Sequence, residues 1–186
     1  MPREHNLISK YPGIVTMEQI NSWIYEPQLP SYAPQPTSDV FVKVQTNMDN
    51  WLADKSSLSD IPTAKWTVHE WLYFINNLAE DISLNRMSEL DKTYSLTAST
   101  NNEIAHAWLL LSIKRKYAAV NDRLESYLIS IGRRKLIVPL YAELVKDVTS
   151  RKFAEKIYKK ARRGYHPLAQ GTIDKLFVEE QTSDKK

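Results

Sequence analysis

From Asp39 onward the chain repeats one pattern: apolar residues three and four positions apart, separated by short polar breaks. Val40, Phe41, Val44, Met48, Trp51 and Leu52 fall on one face of a helix. After a polar loop over 54–60, Thr67-x-x-Glu70 forms a capping box ahead of a stripe of Val68, Trp71, Leu72, Ile75, Leu78, Ala79 and Ile82. A shorter helix over 85–94 turns Met87, Leu90 and Tyr94 inward. Asn101 or Asn102 caps the next, with Glu103 at its positive end, Ile104, Trp108, Leu110 and Leu111 inward, and Lys114-Arg115-Lys116 at its negative end. Val120, Leu124, Tyr127, Leu128 and Ile131 form a further stripe, which Gly132 stops in the left-handed position of a C-terminal cap. Pro139 is expected to open a helix bearing Leu140, Leu144, Val145 and Val148. Thr149 or Ser150 caps another bearing Phe153, Ala154, Ile157, Tyr158 and Ala161, ended by Gly164 and Pro167. A short terminal helix through Leu168, Ile173, Leu176 and Phe177 precedes a charged tail.

No alternating strand pattern accompanies these helices. The expected fold is all-α: stacked antiparallel helix pairs forming a short right-handed superhelix of the armadillo/HEAT kind, without a clean sequence repeat. The segment from Tyr11 to Thr37 differs. Pro27, Pro30, Pro34 and Pro36 interrupt it, and Trp23-Ile24-Tyr25 make it apolar, so it reads as an extended strap too broken for a helix and packed across a surface. The expected organisation is a strap or linker over 1–37, a helical domain over 38–180 and a charged tail over 181–186.

Composition narrows the chemistry. At 186 residues and 42% apolar, the chain can bury one substantial core. It has no cysteine, which excludes disulfides, thiolate metal sites and cysteine nucleophiles and is compatible with a reducing compartment. No run approaches the roughly 18 apolar residues of a membrane span, so no membrane partner is expected. The net charge of +3 is split: residues 1–100 hold 7 basic and 12 acidic side chains, a net of −5, and residues 101–186 hold 18 and 10, a net of +8. A basic half suits nucleic acid, anionic lipid or an acidic partner domain, or is a solvated helix face.

Phosphate-cradling glycine loops and the Gly-x-Ser-x-Gly elbow are absent. His69-Glu70-Trp71-Leu72-Tyr73 approaches the zinc motif His-Glu-x-x-His but carries tyrosine at the second ligand. His5, His106 and His166 have no ligand spacing. Gly132-Arg133-Arg134-Lys135 is expected as a loop between two helices, where its cations converge; arginine can grip a carboxylate with two parallel hydrogen bonds, and helix capping with solvation is the alternative.

Asn101-Asn102-Glu103-Ile104-x-x-x-Trp108, Gly132-Arg133-Arg134-Lys135, Pro139-Leu140-Tyr141 and Tyr165-His166-Pro167 occur in that order, after Trp23-Ile24-Tyr25-Glu26-Pro27-x-x-Pro30. In order and distance they resemble the C-terminal helical domain of the leukotriene A(4) hydrolase and aminopeptidase B family of zinc aminopeptidases, over about Trp23 to Pro167. The resemblance implies an accessory domain that packs against a catalytic domain, in the same chain or a separate one, and closes one side of its cleft. It also implies that Arg133 and Lys135 bind the carboxylate of the peptide substrate, with Arg134 on the variable position between them. The catalytic motif is missing from this sequence, so the chain alone is expected to be inactive and to hold no cofactor, zinc belonging to the catalytic domain. A cytoplasmic location is expected and nucleic acid is not. The competing reading is a standalone helical scaffold whose basic face binds an acidic protein or nucleic acid.

Overall fold

A computed structural model of the chain describes residues 10–11, 13–33, 39–79 and 81–183, with side chains to Val178. His5, Pro34 and Pro36 lie outside the described residues. The chain divides into two compact units, 1–38 and 39–186.

The first unit contains helix α1 (Met17–Tyr25), capped by Thr16, whose hydroxyl accepts from Gln19 N at 3.1 Å while the Gln19 side chain accepts from Thr16 N at 2.9 Å. An extended strap too broken for a helix is therefore not what residues Met17–Tyr25 form. No proline falls between Met17 and Tyr25: Pro12 precedes the helix and Pro27 and Pro30 follow it, so none interrupts its hydrogen bonds. Tyr32 folds back on α1, its hydroxyl donating to Gln19 O at 2.7 Å and pairing with Ser22 Oγ.

The second unit is helical throughout its described residues: α2 (Val40–Leu52), α3 (Val68–Asn76), α4 (Leu84–Tyr94), α5 (Asn102–Arg115), α6 (Asn121–Ser130), α7 (Arg134–Leu144), α8 (Val148–Ala161) and α9 (Pro167–Ser183), with short 3-10 turns between some of them. α2 packs on α3. Beyond that, α3, α5, α7 and α9 pack in succession, each against the next but one along the chain, and α6 packs on α8. Skipping one helix at each step makes two layers, the arrangement of stacked helix pairs.

Position in these layers explains which faces are buried. α5 lies between α3 and α7, so Ala105, Ala107, Trp108, Leu109 and Ser112 are buried around much of its circumference, and Ile104, Leu110 and Leu111 only partly. A helix covered on two sides needs no narrow stripe. α3 obeys its capping box, Thr67 N donating to Glu70 Oε2 at 2.7 Å, but ends at Asn76. Leu78 and Ile82 reach the core from the following turn, and Phe74, off the expected stripe, is fully buried against the Trp51, Trp66 and Trp71 rings.

Three boundaries differ from expectation. Asp147, rather than Thr149 or Ser150, caps α8, its Oδ1 accepting from Thr149 N at 3.0 Å and Ser150 N at 3.2 Å. α9 is long, reaching Ser183 within the stretch assigned to the tail. Its start matches the turn chemistry: Pro167 needs no donor at the first helical position, and His166 Nδ1 accepts from Leu168 N at 3.2 Å. The third boundary is the start of α7.

Candidate functional site

α7 begins five residues before Pro139. The Arg133 carbonyl accepts from Leu136 N at 2.8 Å and Ile137 N at 3.2 Å, which starts the helix at Arg134 and leaves Pro139 inside it. Proline costs the helix only its bond to the Lys135 carbonyl. Gly132 is not in the left-handed region either, which among the described residues is occupied by Gly13, Asp54, Ser95 and Lys116. The expected cationic loop is thus a helix start. Arg133 is its N-cap residue, and Arg134 and Lys135 form its first turn.

This geometry separates the three cations. Arg134 Nε donates to Thr172 Oγ1 of α9 at 3.2 Å. Arg133 and Lys135 instead converge on Glu103, at 3.3 and 2.8 Å to the same Oε1, while remaining 64% and 59% exposed. Glu103 is held there by the start of α5: Asn101 Oδ1 accepts from Glu103 N at 3.0 Å and Ile104 N at 3.3 Å, and Tyr127 donates to Asn102 O at 2.8 Å. One turn further, His106 Nδ1 meets Leu136 O at 2.8 Å, linking α5 to α7 directly beneath the cluster. Asn101, Glu103, Ile131, Gly132, Arg133 and Leu136 help line an open concavity at this edge.

The hydrogen bond from Lys135 holds the Glu103 carboxyl below its ordinary range, against partial desolvation. Burial pushes the His106 imidazole down, partly offset by the Leu136 carbonyl and Glu103. A neutral His106 donating from Nδ1 satisfies that carbonyl. With one carboxylate shared by two cations, the cluster keeps an excess positive charge, and Arg133 retains donors for a second anion. The pairing of Glu103 with the cations has no local signal in the sequence, because Glu103 stands 30 residues from Arg133 along the chain.

His69 is exposed on α3. Tyr73, at the position where a second zinc ligand would stand, stacks on Phe41 at 4.9 Å and donates to Gln45 Oε1 at 3.2 Å. Among the described residues no three His, Cys, Asp or Glu side chains converge, and His69 with Tyr73 does not form the site of about three ligands that catalytic zinc takes. Nor is any described helix long and apolar enough to cross a membrane. Several cations of the basic half are paired within the unit, including Lys116 with Asp147, Lys160 with Glu125 and Arg162 with Asp174.

Residues 66–177 match the family described as "Leukotriene A4 hydrolase, C-terminal". The chain belongs to that family. Among its relatives, Leucine aminopeptidase 2 of Neurospora crassa is 28% identical over 130 residues, covering 68% of this chain and 19% of the relative. Leucine aminopeptidase 2 of Neosartorya fischeri is 30% identical over 161 residues, covering 83% and 26%. The solved structure of native yeast LTA4 hydrolase superimposes with a TM-score of 0.68 at 18% identity, covering 94% of this chain and 32% of that one. At that identity the superposition shows the fold alone. It is the all-helical fold of the leukotriene A4 hydrolase C-terminal domain, and this chain spans between about a fifth and a third of the length of these relatives.

Proposed function

We propose that this chain serves as the carboxylate-reading accessory domain of a zinc aminopeptidase. Residues 38–180 pack against the catalytic domain and close one side of its cleft, residues 1–37 form the connection, and Arg133 and Lys135 hold the free C-terminal carboxylate of a peptide. The observation that carries this reading is the convergence of both cations on Glu103 at an exposed edge. Cations at a helix N-terminus oppose the dipole, so their clustering there calls for an anion. Glu103 supplies one and fixes their side chains; a substrate carboxylate would supply the next, through the donors of Arg133 left free.

The residues of this chain bind and orient. Zinc, held by ligands elsewhere in the enzyme, would polarise the scissile carbonyl and activate water. Leucine aminopeptidase as the name of the relatives supports removal of N-terminal residues as the reaction. The apolar side chains exposed on the first unit, with Tyr25 79% and Leu29 70% accessible, suit cover by the catalytic domain. The lack of cysteine fits a cytoplasmic setting.

Two measurements test the reading. The isolated chain should turn over no aminoacyl arylamide and retain no zinc after dialysis; stoichiometric zinc or turnover that survives repurification would overturn the accessory role. In the full-length enzyme, replacing Arg133 and Lys135 together by alanine should lower kcat/KM on free tripeptides by at least about a hundredfold, the effect of losing two charge-assisted contacts. Activity retained within a few-fold would remove both residues from the site.

A further inference from the structure

The two cations that meet Glu103 sit on a weakly secured piece of backbone. Pro139 has no N–H, so the Lys135 carbonyl lacks the bond that would tie it to the next turn of α7. The ion pairs do little to hold that turn. Arg133 and Lys135 reach Glu103 with side chains that are more than half exposed, and exposed pairs are screened and weak. They are also the contacts that an arriving carboxylate would rearrange.

A second tie grips the backbone itself. His106, half-buried and one turn beyond Glu103 on α5, places Nδ1 2.8 Å from Leu136 O in the first turn of α7. A carbonyl only accepts, so Nδ1 carries the proton in this contact. Burial favours the neutral ring, which leaves Nδ1 as its one donor. Glu103 and His106 lie three residues apart on one face of α5 and hold neighbouring parts of α7: the side chains of Arg133 and Lys135, then the carbonyl of Leu136. The ion pairs can open while the His106 bond keeps the turn in place.

We propose that His106 is a positioning residue for carboxylate recognition, fixing the first turn of α7 on α5 so that Arg133 and Lys135 are presented together. It touches no substrate and acts through the Leu136 carbonyl. This inference rests on the carboxylate reading of Arg133 and Lys135.

Two measurements test it. In the 186-residue chain at mildly alkaline pH, nitrogen NMR signals of the His106 ring should show the proton on Nδ1; a proton on Nε2 would overturn the proposal whatever the enzyme does. In the full-length enzyme, His106→Phe keeps a ring and removes the donor. It should lower the ratio of kcat/KM for a free tripeptide over its C-terminal amide by about three- to tenfold, the factor of one net hydrogen bond, through KM and with amide turnover unchanged. His106→Asn, whose amide nitrogen stands where Nδ1 does, should hold the ratio within about twofold of the wild type, whereas His106→Gln, which carries that nitrogen further out, should not. In an Arg133→Ala background, His106→Phe should change the ratio no further. If Arg133→Ala lowers the ratio and His106→Phe does not, or if His106→Asn lowers it as much as His106→Phe, or if the amide suffers equally, His106 only packs and the proposal falls while the carboxylate reading stands. A ratio insensitive to Arg133→Ala removes the carboxylate reading, and this inference with it.

Discussion

Trp108→Ala probes the packing that holds α5 between its neighbours. The ring is fully buried, meets Tyr117 edge-on at 5.9 Å and donates from Nε1 to Thr97 Oγ1 at 3.0 Å. Thr97 in turn donates to Asp91 Oδ2 at 2.7 Å, so the tryptophan ties the core of α5 to the turn after α4. Truncation to alanine should cost about 3–5 kcal/mol for lost contacts and the cavity left behind. Trp71 makes a useful contrast. It packs against Trp66, Phe74 and Tyr94 but is only partly buried, so Trp71→Ala should cost about 2–3 kcal/mol, since part of that ring already lies in water. With a urea slope of about 2 kcal/mol/M, the midpoints should fall by about 2 M and about 1 M respectively. Far-UV circular dichroism is the appropriate probe, since fluorescence would change with removal of either of two among five tryptophans. A smaller shift for Trp108→Ala than for Trp71→Ala would refute the assignment of α5 as the covered, central helix.

Stability should also fall with acid. Burial lowers the His106 pKa below its ordinary 6.5, and Lys116, followed by the Ser150 amide, brings the exposed Asp147 to about 2 from 3.8. Both folded values are depressed, so these contributions are present above the unfolded pKa values and lost as pH falls through the folded ones. Urea midpoints should therefore decline first below about pH 6.5 and again between about 4 and 2, with Asp147→Asn flattening the second decline; midpoints that rise on acidification would contradict both assignments. Tyr165→Phe should cost about 1–2 kcal/mol, because the buried hydroxyl donates to Leu128 O and lies 3.2 Å from Tyr141 Oη; an unchanged thermal midpoint would show those bonds to be unimportant.

Where structure depends on near neighbours, the sequence was legible. The Thr67–Glu70 box, the Asn101 cap and the Val120-Leu124-Tyr127-Leu128 stripe rest on residues within a turn or two of one another, and each appears as read. Gly132 and Pro139 misled because both are common helix punctuation, yet the Arg133 carbonyl had already nucleated α7 between them. Phe74 escaped notice because its burial is decided by Trp51 and Trp66, which reach it from other elements. The cation pair was visible as a motif. Its partner was not, since Glu103 joins it only when α5 and α7 are brought side by side.

The most direct measurement of the central claim is the preference of the full-length enzyme for a free tripeptide over the same tripeptide amidated at its C-terminus, expressed as a ratio of kcat/KM values. If Arg133 reads the carboxylate, Arg133→Ala should reduce that ratio by about ten- to a hundredfold, the equivalent of about 1.5–3 kcal/mol for a charge-assisted contact, while amide hydrolysis changes little. A ratio left unchanged, with both substrates impaired alike, would contradict the claim and assign Arg133 to the fold or to the domain interface.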